Sequence, residues 1–235
     1  MDVETLRELA YQANRAIVEH GLVVLTWGNA SVVDRDAGVV AIKPSGVDYA
    51  ALNPDRMVLC ALDDGRVLEG DLRPSSDTPT HLHLYRAFPD IGAIVHTHST
   101  HATAWAQRAR PLPCYGTTHA DHFDGAIPVA RALSAEEIAG AYEEAAAVSI
   151  VDTVRQHGLD PMRMPAVFLP GHAPFVWGPD ASKAVENAIA LENVAHMAWV
   201  MGAAQQPCAE LDPLVREKHF NRKHGLKSYY GQKGP

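Results

Sequence analysis

Two histidines separated by one threonine, His96-Thr97-His98, close the apolar run Ile91-Gly92-Ala93-Ile94-Val95. The β-branched Ile91, Ile94 and Val95 mark that run as a buried strand. Side chains alternate faces along a strand, so the two histidines share a face at roughly 7 Å spacing. Their imidazoles can then close on one cation at about 2.0–2.1 Å from each nitrogen. A His-x-His pair alone is more often two ordinary polar residues at a strand end. Further donors strengthen the metal reading: His172 in the tight turn Pro170-Gly171-His172-Ala173-Pro174, and Asp77 beside a predicted helix start. The plainer role for Asp77 is a helix cap.

A second set of residues suits an anion. Lys43-Pro44-Ser45-Gly46 places a cation, a hydroxyl and a glycine in one turn, which matches a phosphate. Ser75 and Ser76 precede a helix start, where free N–H groups and the helix dipole favour negative charge. Gly28-Asn29, within Thr26-Trp27-Gly28-Asn29-Ala30-Ser31, lets backbone approach a ligand closely, although such a segment alone is more often a turn. Neither a GxxxxGK[ST] loop nor a GxGxxG fingerprint occurs. Asp121, amid Thr117, Thr118, His119 and His122, is a candidate proton carrier with a weak signal of its own.

Certain elements must position these groups. Apolar periodicity predicts a helix over 4–20, ended by Gly21. A strand is predicted over 22–27, and hairpins over 32–42 and 57–68. Thr78 and Pro79 form an N-cap and N1 pair for a helix over 79–88. Ser99 caps a helix to about residue 108, with His101 packed or on the surface. Ser134 and Glu137 form a capping box, and a helix over 141–157 stops at Gly158. A strand over 164–169 and a partner over 175–178 flank the His172 turn. Asp180 caps a helix to about 201, on which His196 reads as a core or interface residue. Asp212-Pro213 opens the last helix, to about 224. Tyr229 and Tyr230 in the tail suggest docking on the same or a neighbouring subunit.

Composition bounds the class. With 47% apolar and 20% charged residues over 235 positions, the chain is expected to be globular, as one domain spanning 1–235. A net charge of −8 argues against nucleic acid and anionic membranes as partners. Cys60, Cys114 and Cys208 are odd in number and form no CxxC, which points to free thiols in a reducing compartment. The start MDVETLREL has no apolar core of a signal peptide, and no run is long enough to span a bilayer. The expected location is the cytoplasm.

Taken together, several runs resemble the L-ribulose-5-phosphate 4-epimerase family, within the class II aldolase and adducin-head superfamily. They are Thr26–Asn29, Ile42–Tyr49, Ser75–His81, Ile94–Ser99, Gly116–Asp121 and Tyr229–Gln232, in the family's order across nearly the whole chain. The resemblance implies an α/β domain with a mixed, largely antiparallel central sheet flanked by helices, assembled as a cyclic homotetramer. It implies zinc on His96, His98, His172 and Asp77, with other divalent metals able to substitute. Gly28, Asn29, Lys43, Ser45, Gly46, Ser75 and Ser76 would bind a pentulose 5-phosphate. Asp121 and Tyr230 would be the acid/base pair, reaching the site across a subunit boundary, with His219 and Glu143 assisting. Related aldolases carry Glu at the position of Asp77, which favours an epimerase working by C3–C4 cleavage and re-addition. The rivals are a class II sugar-phosphate aldolase and a non-catalytic adducin-head-like module.

Overall fold

A computed structural model describes residues 1–203 and 209–226. Tyr229, Tyr230 and Cys208 lie outside the described residues. At the centre is a seven-stranded sheet made of β1 (Asn29–Asp34), β2 (Val39–Ile42), β3 (Val58–Ala61), β4 (Val67–Glu69), β5 (Ala93–His96), β6 (Ala166–Phe168) and β7 (Pro174–Gly178). Its order is β4-β3-β2-β1-β5-β7-β6. Every neighbouring pair is antiparallel. A single bridge from Val129 to Phe168 adds a parallel component at the β6 edge. This is the largely antiparallel sheet that the family resemblance implies.

Among the described residues eight α-helices surround it: α1 (Val3–Glu19), α2 (Thr78–Ala87), α3 (Thr100–Gln107), α4 (Thr117–Ala120), α5 (Ala135–Ala139), α6 (Tyr142–Gln156), α7 (Ala181–Ala203) and α8 (Pro213–His224). Strand alternation divides the core between the two faces of the sheet. Ala30, Val32, Val95 and Val176 face a cluster with α1, α3 and α7. Val33, Ile94, Phe175 and Trp177 face the opposite cluster, with α2 and α6.

Register then fixes who stands beside whom. Asn29 is opposite His96, and His96 is opposite Phe175. Two residues along, on the same face, Ser31 is opposite Ile94 and Ile94 is opposite Trp177. Two adjacent rows of side chains thus run across the sheet beneath α2.

The end of β1 needs help, because its pairing with β2 stops at Ser31. Asn14 of α1 supplies it. Its Nδ2 donates to the Ala30 carbonyl at 2.9 Å, and the Ala30 N–H donates to its Oδ1 at 2.9 Å. The buried amide stands in for a strand, each bond adding about 1 kcal/mol, and keeps β1 in register as far as Asn29.

One expected element is absent. Residues 22–27 form no strand: Trp27 N–H bonds the Val24 carbonyl, and Leu25 takes φ +56° with 73% of its surface exposed. The strand instead begins at Asn29, after Gly28. Gly28 has φ +91°, and a Cβ there would sit 2.7 Å from the His96 carbonyl oxygen. Only glycine allows the chain to enter β1 so close to β5.

Candidate metal centre and phosphate cradle

Three imidazoles converge at the end of β5. The ligand-capable nitrogens of His96, His98 and His172 all lie within 4.8 Å of one another. His96 ends β5, and His98 lies just past it, so the strand delivers one ligand and the turn after it delivers the second. His172 comes from the turn between β6 and β7, where Gly171 adopts φ +71° and the Leu169 N–H bonds the Ala173 carbonyl.

Two observations show that this donor set fits a cation such as zinc. Nδ1 of His96 lies 2.9 Å from the Pro174 carbonyl oxygen, which can only accept. The proton therefore sits on Nδ1, and the lone pair of Nε2 faces the other histidines. Nε2 of His96 and Nε2 of His172 approach to 3.2 Å. That is close to the ~3.3 Å edge of a tetrahedron with metal–nitrogen arms of about 2.05 Å. Burial, with help from His96 and His98, pushes His172 down to about 4. Burial and His96 also hold His98 below its usual range. Neutral imidazoles are the ligand form.

Asp77 stands at the rim of this cluster, its Oδ2 3.9 Å from Nε2 of His96. It occupies the N-cap position of α2 yet makes no capping bond. Its carboxylate is drawn into the site instead, accepting from Asn29 Nδ2 at 2.6 Å, which also donates to Ser75 Oγ at 3.0 Å. Burial opposes its ionisation, but the imidazoles of His96 and His81 and the Asn29 bond hold its carboxyl below the usual range. Thr78, expected as the cap, is the first helical residue, and its hydroxyl donates to the Ser75 carbonyl.

A cavity of about 220 Å³ opens over these groups, lined by Trp27, Gly28, Asn29, Lys43, Ser45, Gly46, Ser75, Ser76, Asp77 and the three histidines. The seven substrate-binding residues expected from the sequence therefore share one cavity with the four expected metal ligands. The Lys43 and Ser75 turns are tied together: the Ser45 N–H donates to the Arg73 carbonyl and the Ser75 N–H to the Lys43 carbonyl. Those two amides are occupied, so hydroxyls and the neighbouring Gly46 and Ser76 amides remain for an anion. Lys43 is 2% exposed. Its ammonium meets the Pro44 carbonyl at 3.3 Å and the face of the Tyr49 ring at 4.6 Å. Burial lowers its pKa, and a bound phosphate would offset that desolvation. Size alone does not pick this cavity: a hollow of about 690 Å³ beside α1 is larger, but it is lined by ordinary surface charges such as Glu4, Glu8 and Asp55.

Asp121 is placed differently. It follows α4, does not line this cavity, and is gripped by α8. Arg222 donates to both its oxygens, at 3.0 and 2.6 Å, and His219 Nδ1 lies 3.2 Å away. Burial raises its pKa, but these donors outweigh that and leave it lowered. Tyr230 lies outside the described residues. Tyr142, which the sequence did not single out, brings its ring to 6.5 Å from that of His172.

A family model described as the Class II Aldolase and Adducin N-terminal domain matches residues 8–199. The chain belongs to the class II aldolase and adducin family. Within it, the L-ribulose-5-phosphate 4-epimerases UlaF of Salmonella paratyphi B and Salmonella choleraesuis are each 48% identical over 231 residues, covering 98% of this chain and 100% of their own. Among solved class II aldolase structures, an L-fuculose 1-phosphate aldolase superimposes with a TM-score of 0.77 at 26% identity, covering 93% of this chain and 95% of that one. YgbL from Escherichia coli, a putative aldolase/epimerase/decarboxylase, gives a TM-score of 0.73 at 24% identity, over 93% and 99% of the two chains. It speaks to the fold alone.

Proposed function

We propose that this chain is a zinc-dependent L-ribulose-5-phosphate 4-epimerase that interconverts L-ribulose 5-phosphate and D-xylulose 5-phosphate. The observation that carries the reading is the 48% identity to enzymes of that name over their whole length. The chemistry of the cavity agrees with it. C4 of the sugar is not adjacent to the C2 carbonyl, so its hydrogen is not acidic and direct deprotonation is a poor route. Breaking C3–C4 avoids that problem: a base takes the C4 hydroxyl proton, the C4–O bond becomes an aldehyde, and the C3–C4 electron pair delocalises toward C2.

His96, His98, His172 and Asp77 would hold the zinc, which would supply Lewis-acid stabilisation of the enediolate left by C3–C4 cleavage. Lys43, Ser45, Gly46, Ser75, Ser76 and the Gly28-Asn29 turn grip the phosphate. The phosphate end stays bound while the aldehyde rotates to present its other face. Asp121 exchanges the C4 hydroxyl proton on one face and Tyr230 on the other, with His219 and Glu143 assisting. Asp121 does not line its own chain's cavity, which agrees with an assembly in which each cavity borrows its acid/base pair from a neighbour; the homotetramer implied by the family resemblance is part of the proposal. Among the described residues no helix is long and apolar enough to cross a membrane; a cytoplasmic location belongs to the proposal. The single domain over 1–235 is part of the same proposal.

The test is direct. Purified protein with L-ribulose 5-phosphate should form D-xylulose 5-phosphate, and chelation should stop it. The likeness to L-fuculose 1-phosphate aldolase favours a second reading, a sugar-phosphate aldolase. Release of free fragments without epimer would select it. An adducin-head-like module would bind no metal.

A further inference from the structure

The face of α2 above the metal centre carries a buried imidazole whose second nitrogen has no partner. His81 is fully buried, and its Nε2 is a buried atom without a hydrogen bond. Its Nδ1 lies 2.7 Å from Ser31 Oγ, which lies 2.8 Å from Tyr85 Oη, which donates to the Ser31 carbonyl at 2.9 Å. Counting protons settles the tautomer. The Tyr85 hydroxyl has one proton and gives it to the carbonyl. Ser31 must then donate to Tyr85, so it can only accept from Nδ1–H. All three contacts are satisfied in that arrangement alone, and it leaves Nε2 as a bare lone pair.

The sheet shows where that lone pair sits. Ser31 belongs to the row behind Asn29, His96 and Phe175. His81 reaches back over it, edge-on to Phe175 at 6.0 Å, while Phe175 stacks on His96 at 4.2 Å. One helical turn before His81 comes Asp77, and the His81 N–H bonds the Asp77 carbonyl at 3.0 Å. Residues four apart share a helix flank, and the His81 imidazole and the Asp77 carboxylate are near enough to influence each other's charge while no hydrogen bond joins them. Both are acceptors; the His81 nitrogen is fully buried and the Asp77 side chain is 21% exposed, so one donor with two hydrogens can satisfy the first and reach the second.

We propose that His81 is a positioning residue for Asp77, its Nε2 anchoring a two-hydrogen donor, the chemistry of water, that also donates to the Asp77 carboxylate and holds it toward the metal centre. The inference rests on the metal reading given above. His81 does not touch the metal. Its effect passes through Asp77, and the Ser31–Tyr85 chain keeps its acceptor aimed there.

Two substitutions separate positioning from packing. Glutamine can place an acceptor where Nε2 stands, whereas asparagine keeps a group only near Nδ1. Zinc and cobalt affinities of the chelator-stripped protein are measured by competition with a coloured chelator, with thermal midpoints recorded in parallel. H81Q should stay within about threefold of the parent, and H81N should bind about tenfold or more weakly. In an Asp77→Asn background the difference between H81Q and H81N should vanish. Equal affinities for H81N and the parent, equal losses in both variants, or a difference that survives in the Asp77→Asn background would each overturn the proposal. A parent that binds neither metal would overturn the metal reading itself.

Discussion

Nδ1 of His96 lies 2.9 Å from the carbonyl oxygen of Pro174, and Pro174 begins the strand that follows the His172 turn. One contact therefore does two things. It commits the His96 proton to the far side of the ring, and it ties the strand carrying His96 to the segment carrying His172. The expected result is a centre preformed by the sheet, needing all three histidines. His98→Ala should reduce bound metal at least about tenfold and remove most turnover, while the fold persists because His98 lies beyond β5. Metal analysis of the purified variant checks this, and retention of both metal and rate would place the site elsewhere.

Ser76 borders the cradle beside the buried ammonium of Lys43. In the proposed role its hydroxyl meets only the phosphate, so Ser76→Ala should act on binding. A charge-assisted hydrogen bond of about 1.5–3 kcal/mol corresponds to a roughly tenfold or greater rise in KM with little change in kcat. Steady-state kinetics provide the measurement. If the parent uses unphosphorylated ribulose as well as its phosphate, the cradle has been misread.

Buried neutral histidines make the metal-free protein sensitive to mild acid. Burial pushes His81 down to about 3 and His119 to about 4, against 6.5 when exposed. Between about pH 4 and 6.5 the unfolded chain holds protons that the folded chain does not. Stability therefore rises with pH across that window, by about 1.4 kcal/mol per pH unit for each such histidine. Working between pH 5 and 6.5 keeps most carboxylates out of the slope. Urea midpoints in chelator should fall as the pH is lowered, and less steeply for His119→Gln. A flat profile in the parent would contradict this account.

How far the sequence reached depended on whether a residue's local pattern matched its job. The His96 strand, the hairpins and the capping box of Ser134 and Glu137 were legible because periodicity and capping act within a few residues. The apolar run 22–27 misled because nothing pairs with it; Leu25 turns outward instead. Thr78 does not cap α2, and Asp77 stands at the N-cap position without capping, because Asn29, forty-eight residues away in sequence, donates to the aspartate. His81 was visible as a letter in the Ser75–His81 run but not as a function, since its partners Ser31 and Tyr85 meet it only after the sheet and α2 pack together. Same-face spacing also explained His98 only in part, because the strand ends at His96.

The mechanism yields the last expectation. If C3–C4 is cleaved and re-formed, the hydrogen on C4 never leaves its carbon. Epimerisation in D₂O should then leave C4 unlabelled, and deuterium at C4 should slow turnover only slightly. A carbon isotope effect should appear at C3 and C4 when chemistry limits the rate. Tyr230→Phe should slow turnover by about 10²-fold or more, because one face loses its proton partner. The chain has no GxGxxG turn for a nicotinamide, so oxidation at C4 lacks an evident hydride carrier. Solvent deuterium at C4 would instead mean proton transfer at that carbon. A large primary isotope effect without solvent exchange would mean hydride chemistry. Either result would remove the reason for holding the phosphate through a rotation, and with it the roles given to Asp121 and Tyr230.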